Sequence, residues 1–248
     1  MLQFTSTLLM FIYASTKNKF VGFISWTTFG VFWLLNLPYY LSISDYFNSA
    51  LMVAAFSLFT LLGLTILRAN DDVFPRLTFI AAISSLIYFT FAETMLGKEL
   101  IKIVATQTSI LASFLGYEFT VKEDLIYYND KIVQIILACT GIESISLFAG
   151  ISLGAEGRVV NKLKAFLVSV PVIYMLNLLR NTFIILAYGD SWFGENSFYI
   201  AHHVISKLLA TVALIIIAMQ VFKYLPNFAE DIFKAKDAVV RTWLEKRR

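Results

Sequence analysis

Charge is what this chain has least of. Only 15% of its 248 residues are charged, whereas 58% are hydrophobic. A soluble domain carries about 25% charged and about 45–50% apolar residues. The chain therefore cannot cover its apolar surface in water, which excludes a soluble globular enzyme and a disordered protein. It has one cysteine, Cys139, so it has no internal disulfide and is not a secreted disulfide scaffold. A net charge of +3 is too weak to suggest a nucleic-acid partner. One cysteine and two adjacent histidines do not supply a zinc-type ligand set, so no metal and no other cofactor is expected. The segment from Met1 to Ala14 is apolar but lacks a basic n-region and a small-residue cleavage site. It does not read as a removable signal peptide.

What the chain does have is long apolar runs. They fall at roughly 20–40, 46–67, 74–96, 137–153, 165–188 and 199–224. The expected fold is an all-α, polytopic transmembrane helix bundle of about six spans, up to eight if shorter segments cross, forming one integral membrane domain over 1–248. Basic residues set its orientation. Lys17 and Lys19, the loop with Arg158, Lys162 and Lys164, and the tail with Lys223, Lys234, Lys236, Arg241, Lys246, Arg247 and Arg248 are all expected in the cytoplasm, with both termini. Residues 97–136 then form an extracytoplasmic segment. Glu99 to Leu115 reads as a mixed-face helix lying along the interface. Phe119 to Val133 reads as a small hairpin turning at Tyr128, Asn129 and Asp130. Residues 225–248 read as a basic, amphipathic cytoplasmic tail.

A charge inside the hydrocarbon needs a reason, since an Arg near mid-span costs roughly 2.5–3.5 kcal/mol even on lenient scales. Arg180 lies in the fifth run, about 12 Å below its outer end at 1.5 Å per residue. Asn177 shares its face at i and i+3, and Asn181 is adjacent. Cys139 opens the fourth run. Helical spacing places it on one small, polar stripe with Glu143, Ser146 and Gly150. His202 and His203 open the sixth run, with Lys207 one turn beyond His203. The expected topology puts Cys139, Arg180 and the histidines at similar depth on the outer side.

The chemistry open to such a group is nucleophilic. A free thiol, with a pKa of about 8.5, is mostly protonated at neutral pH, and a neighbouring His or Arg favours thiolate. His202 can take the thiol proton and later return it to a leaving amine. Arg180 is a fixed cation suited to the oxyanion of a tetrahedral intermediate. Glu143 can pair with Arg180 or orient the histidine. Together these groups suit acyl transfer through a thioester.

Three segments resemble the exosortase/archaeosortase family of membrane transpeptidases. They are Ala138-Cys139-Thr140-Gly141-Ile142, Asn177-Leu178-Leu179-Arg180-Asn181, and Ala201-His202 at the head of the last span. The archaeosortase branch is the closer fit, and the resemblance covers roughly residues 85–225. It implies a catalytic set of Cys139 as nucleophile, Arg180 as electrostatic partner and His202 as general base. Lys207 is a reserve for the third role, and Glu143, Asn177, Asn181 and His203 are supporting or substrate-binding. It further implies membrane-anchored substrates with a C-terminal sorting signal made of a short motif, a transmembrane helix and a basic cluster. The new carboxyl end would pass to a membrane lipid as acceptor. A membrane cysteine protease that releases its product to water would use the same residues. A small transporter with Arg180 as an anion site, or a scaffold without chemistry, would not need Cys139.

Overall fold

The computed structural model describes residues 1–69 and 71–244, so Lys246, Arg247 and Arg248 of the expected basic tail lie outside the described residues. It is almost entirely helical, and five of its helical stretches are long and apolar enough to cross a membrane: Lys19–Ser42, Tyr46–Arg68, Val73–Ala92, Val159–Gly189 and Gly194–Tyr224. The chain is an all-α polytopic membrane protein. It divides into two compact units, Met1–Leu86 with Leu153–Gly157 and Pro226–Arg248, and Ile87–Ser152 with Arg158–Leu225.

In the first unit, α1 (Leu2–Thr16), α2 (Lys19–Leu34), α3 (Leu37–Ser42) and α4 (Tyr46–Arg68) follow one another, and α2 packs on both α1 and α4. Apolar surface cannot by itself drive helices together in lipid, so close approach and hydrogen bonds must. Gly22 provides the approach. A Cβ there would come within 2.8 Å of the Tyr13 ring and 2.9 Å of Ile66. Buried polar side chains close onto their own helix: Ser6 and Thr7 both donate to the Gln3 carbonyl at 2.8 Å. The Trp26 indole N–H reaches Thr78 at 2.9 Å, on the part of α5 (Val73–Ala92) that belongs to this unit.

The tail helix in this unit runs over Pro226–Trp243 and starts on a proline, where the missing N–H costs nothing. Its buried residue Asp231 forks onto the Arg76 guanidinium, with Nε to Oδ2 at 2.9 Å and a second contact from Nη2 to Oδ1. At its far end the Trp243 indole donates to Thr65 at 2.9 Å, and Arg68 lies 4.2 Å over the same ring. Asp231→Ala leaves a half-buried guanidinium without its bidentate partner, although Glu156 stays 3.9 Å away. A loss of about 1–3 kcal/mol is expected, and thermal unfolding of the detergent-solubilised protein would show it. Asp231→Asn should lose less.

The second unit begins with the remainder of α5 and α6 (Met95–Phe114), whose N-cap is Thr94. Then come three short antiparallel strands, β1 (Thr120–Lys122), β2 (Leu125–Tyr128) and β3 (Lys131–Gln134), in spatial order β1-β2-β3. Each two-residue connection starts at positive φ, Glu123 at 56° and Asn129 at 48°, as tight hairpin loops require. The sheet, α6 and α8 (Val159–Gly189) share a core of Val104, Ala105, Phe119, Ile126, Leu178 and Ile185. A Tyr174 hydroxyl donating to Gln107 at 2.6 Å ties α8 to α6. Between β3 and α8 lies α7 (Ile142–Gly154). The last apolar stretch contains α9 (Ser197–Tyr199), a π-helical turn over Ile200–Ile205 and α10 (Ser206–Tyr224), so the tail helix is α11.

Two sequence boundaries need correction. The third run ends at Ala92 rather than near residue 96, because Thr94 caps a new helix, its side chain accepting from the Leu96 N–H. The fourth run does not begin as helix at residue 137. A 3-10 turn occupies Leu137–Cys139 and α7 starts at Ile142. At 13 residues, α7 is about 20 Å long, short of a hydrocarbon core of about 30 Å.

Candidate functional site

Cys139 sits in the turn joining β3 to α7. Thr140 is buried and its hydroxyl donates to the Leu137 carbonyl at 2.7 Å, closing the turn. Gly141 follows at φ 76°, a left-handed conformation that a glycine adopts without penalty. A Cβ on it would stand 3.3 Å from the Asn177 side chain. Cys139 is therefore not on a helical stripe with Glu143, Ser146 and Gly150. Two residues of non-helical backbone separate it from α7, and an apolar run carries no sign of that break.

Helix α8 holds the turn from the other side. The Asn177 amide donates to the Cys139 carbonyl at 2.7 Å, and the Asn181 amide donates to the same oxygen at 2.9 Å. Both asparagines are buried, one turn apart, and together they use both lone pairs of one carbonyl. Removing either should loosen the turn. Asn177→Ala or Asn181→Ala is expected to destabilise the fold by about 1–3 kcal/mol. Each should also speed labelling of Cys139 by a thiol reagent, which mass spectrometry of the intact protein can follow.

Arg180 lies between the two asparagines on α8. Its Nη2 stands 3.4 Å from His202 Nε2. A guanidinium only donates, so a hydrogen bond in this contact requires a lone pair on Nε2. The ring stacks on Phe198, with centroids 5.2 Å apart and planes 11° from parallel. Its Nδ1 is buried and, among the described residues, lacks a hydrogen-bond partner. Both histidines lie in the π-helical turn, a local widening that often marks functional sites. His203 is exposed and leans on Tyr199 at 5.3 Å.

Arg180 also lines a cavity of about 580 Å³ with Ala138, Glu143, Ser144, Asn177 and Lys207, its remaining walls being mostly apolar side chains of α8 and α10. The structure thus brings Arg180 and His202 into contact and fixes the backbone of Cys139 to the same helix. Among the described residues no hydrogen bond or ion pair joins the Cys139 thiol to either, and none joins Glu143 to Arg180. Lys207 lines the same cavity, whereas Cys139, His202 and His203 do not. The sequence reading missed Phe198 as the platform for His202, although their i, i+4 spacing was a usable sign. It placed Asn177 on the face of Arg180 and Asn181 beside it, without the bond that both amides make to the Cys139 carbonyl.

The "Transmembrane exosortase" family model matches residues 5–219. Two curated relatives cover most of the chain. Archaeosortase A of Haloferax volcanii is 30% identical over 241 aligned positions, covering 82% of this chain and 79% of the relative. Archaeosortase A of Natronomonas pharaonis is 24% identical over 239 positions, covering 83% and 76%. No solved structure matches the chain significantly.

Proposed function

This chain belongs to the transmembrane exosortase family, and from that premise we propose that it is an archaeosortase-like transpeptidase that processes membrane-anchored proteins at a C-terminal sorting signal. Cys139 is the nucleophile. Its thiol proton passes to His202 as the sulfur attacks the scissile carbonyl carbon. The carbonyl oxygen becomes an oxyanion beside Arg180. When the intermediate collapses, the C–N bond breaks, His202 protonates the leaving amine, and a thioester to Cys139 remains. A hydroxyl or amine of a membrane lipid then attacks the thioester, gives its proton to His202, and carries away the acyl group while the thiol is restored.

The observation that carries this reading is the Arg180–His202 contact at 3.4 Å on the helix whose asparagines hold the Cys139 turn. Asn177 and Asn181 position the nucleophile, Glu143 and Lys207 contribute the other charges of the cavity wall, and His203 is the neighbour that competes for the third role. The basic loop at Arg158–Lys164 and the basic tail support a cytoplasmic side opposite the site, so the site faces outward. A substrate anchored by its own helix then presents its scissile bond at the outer boundary of the bilayer.

The test is the new carboxyl end. Purified protein in nanodiscs is mixed with a reporter ending in the C-terminal sorting segment of a surface protein from the same cells. Mass spectrometry of the product should show a lipid joined to the new C-terminus, and a hydroxylamine-sensitive adduct on Cys139 should accumulate when lipid acceptor is limiting. A free carboxylate would establish the protease reading instead. An uncut reporter would overturn both.

A further inference from the structure

Resting on that transpeptidase reading, a substrate-binding strand can be located. The strand β3 is the last in the sheet, so one of its edges is unpaired. The register fixes which groups lie there. Val133 pairs with Ile126, Lys131 with Tyr128, and the Ile135 N–H donates to the Asp124 carbonyl at 2.8 Å. In an antiparallel ladder, alternate residues turn both backbone groups to the same neighbour. Lys131, Val133 and Ile135 therefore face β2, while Ile132 and Gln134 turn N–H and C=O to the open edge. The Ile136 carbonyl accepts the Cys139 N–H at 2.8 Å, so this edge leads straight into the turn that holds the thiol.

Proteins usually protect free edges with Lys, Pro or a bulge, yet Ile132 to Ile136 contains neither a charge nor a proline. Ile132 and Ile136 are 55% and 51% exposed, on the same face of the strand. The edge is also rigidly held. Ile126 of β2 is fully buried, and the Asn129 amide at the hairpin tip donates to Asp190 at 3.0 Å beyond the end of α8. A preformed edge binds an extended chain without an ordering cost of its own.

We propose that β3 binds the residues on the N-terminal side of the scissile bond as a fourth, parallel strand. The direction follows from the chain's own path. From β3 it passes the thiol and enters the apolar helix α7. A substrate whose cleavage site precedes its transmembrane helix travels the same way, from outside, past the thiol, into the bilayer. Backbone pairing gives affinity that tolerates many sequences, while side chains at alternate positions give selectivity.

Disulfide trapping tests this cleanly, because Cys139→Ala leaves a chain with no cysteine. In that background Ile132→Cys or Gln134→Cys is combined with single cysteines scanned through the reporter upstream of its cleavage site. Crosslinks are formed with a mild oxidant in isolated membranes. Ile132→Cys should select alternate reporter positions, and the set selected by Gln134→Cys should lie two residues nearer the cleavage site. Val133→Cys, on the opposite face of the strand, should select the intervening reporter positions. A shift in the other direction, crosslinks without periodicity, or none at all would overturn the proposal. Unsubstituted protein and reporter are run alongside. If they show normal processing without ordered crosslinks, only the β3 strand is wrong. If they show no processing, the underlying reading falls and the strand with it.

Discussion

Replacing Cys139 by alanine is expected to abolish processing of a sorting-signal reporter, by at least about 10³-fold, while leaving the protein folded. The size follows from covalent catalysis: without the sulfur there is no thioester, and water has no activated route to the same carbonyl. The fold should survive because the turn is held through the backbone of Cys139. Its carbonyl takes the Asn177 and Asn181 amides and its N–H reaches the Ile136 carbonyl, and alanine keeps all three bonds. The side chain contributes only modest packing at the rim of the α6–sheet–α8 core. Cys139→Ser should be nearly as inactive, since a hydroxyl ionises far less readily than a thiol. Membranes carrying each variant should accumulate full-length reporter on a gel, with melting temperatures close to that of the unsubstituted protein. A variant retaining a tenth of the activity would remove Cys139 from the mechanism.

Hydropathy made the helices that lie wholly in lipid legible. The run at 46–67 corresponds to α4 at Tyr46–Arg68, because an unbroken apolar stretch bounded by Asp45 and Arg68 has no other solution in a bilayer. The turn around Asn129 was legible too, since Tyr128, Asn129 and Asp130 separate two β-rich segments. The boundaries that failed are those where backbone geometry changes without a change in polarity. Leu137, Ala138 and Cys139 are as apolar as a helix start, yet they form a 3-10 turn that ends at a left-handed Gly141. The stripe drawn through Cys139 fails for that reason. Likewise, two adjacent histidines say nothing of a π-helical turn at Ile200–Ile205. That turn is what sets His202 on Phe198 and against Arg180 while His203 is left exposed.

The candidate site was legible as residue types and only partly as contacts. An Arg and two Asn in apolar surroundings were costly enough to stand out, whereas the Cys, a small hydrophobe by itself, drew notice only through its company. Which polar group satisfies which is decided by three-dimensional packing. Asn177 and Asn181 stood out as neighbours of Arg180 on α8, but both amides go to the Cys139 carbonyl, and the guanidinium turns to His202. This arrangement separates two tasks that the sequence had merged. The asparagines hold the Cys139 turn, and the arginine is left with its charge largely uncommitted. Among the described residues it forms no salt bridge.

That uncommitted charge leads to the second large effect. Arg180→Gln should lower kcat for reporter cleavage by about 10²–10³-fold, the usual result of removing one donor from a developing oxyanion. KM should change little, because the ground-state carbonyl gains less from the cation than the intermediate does. Arg180→Lys keeps the charge but not the planar fork, and a shorter donor array cannot face both His202 Nε2 and an oxyanion. It should recover no more than about a tenth of the lost rate. His202→Gln separates the cation from the base: it removes the proton acceptor while keeping a hydrogen-bonding partner for Arg180, and its loss should match or exceed that of Arg180→Gln. His203→Gln should stay within about threefold, since that ring is exposed and the Arg180 contact goes to His202 instead. Lys207→Gln should also keep most of the rate if His202 is the base. A collapse on removing Lys207 with His202→Gln still active would transfer the third role to the lysine. Single-turnover rates at saturating reporter distinguish these cases, because they read the chemical step apart from binding and product release. An Arg180→Gln protein whose single-turnover rate stays within threefold of normal would show that its charge serves folding or lipid contact rather than the reaction.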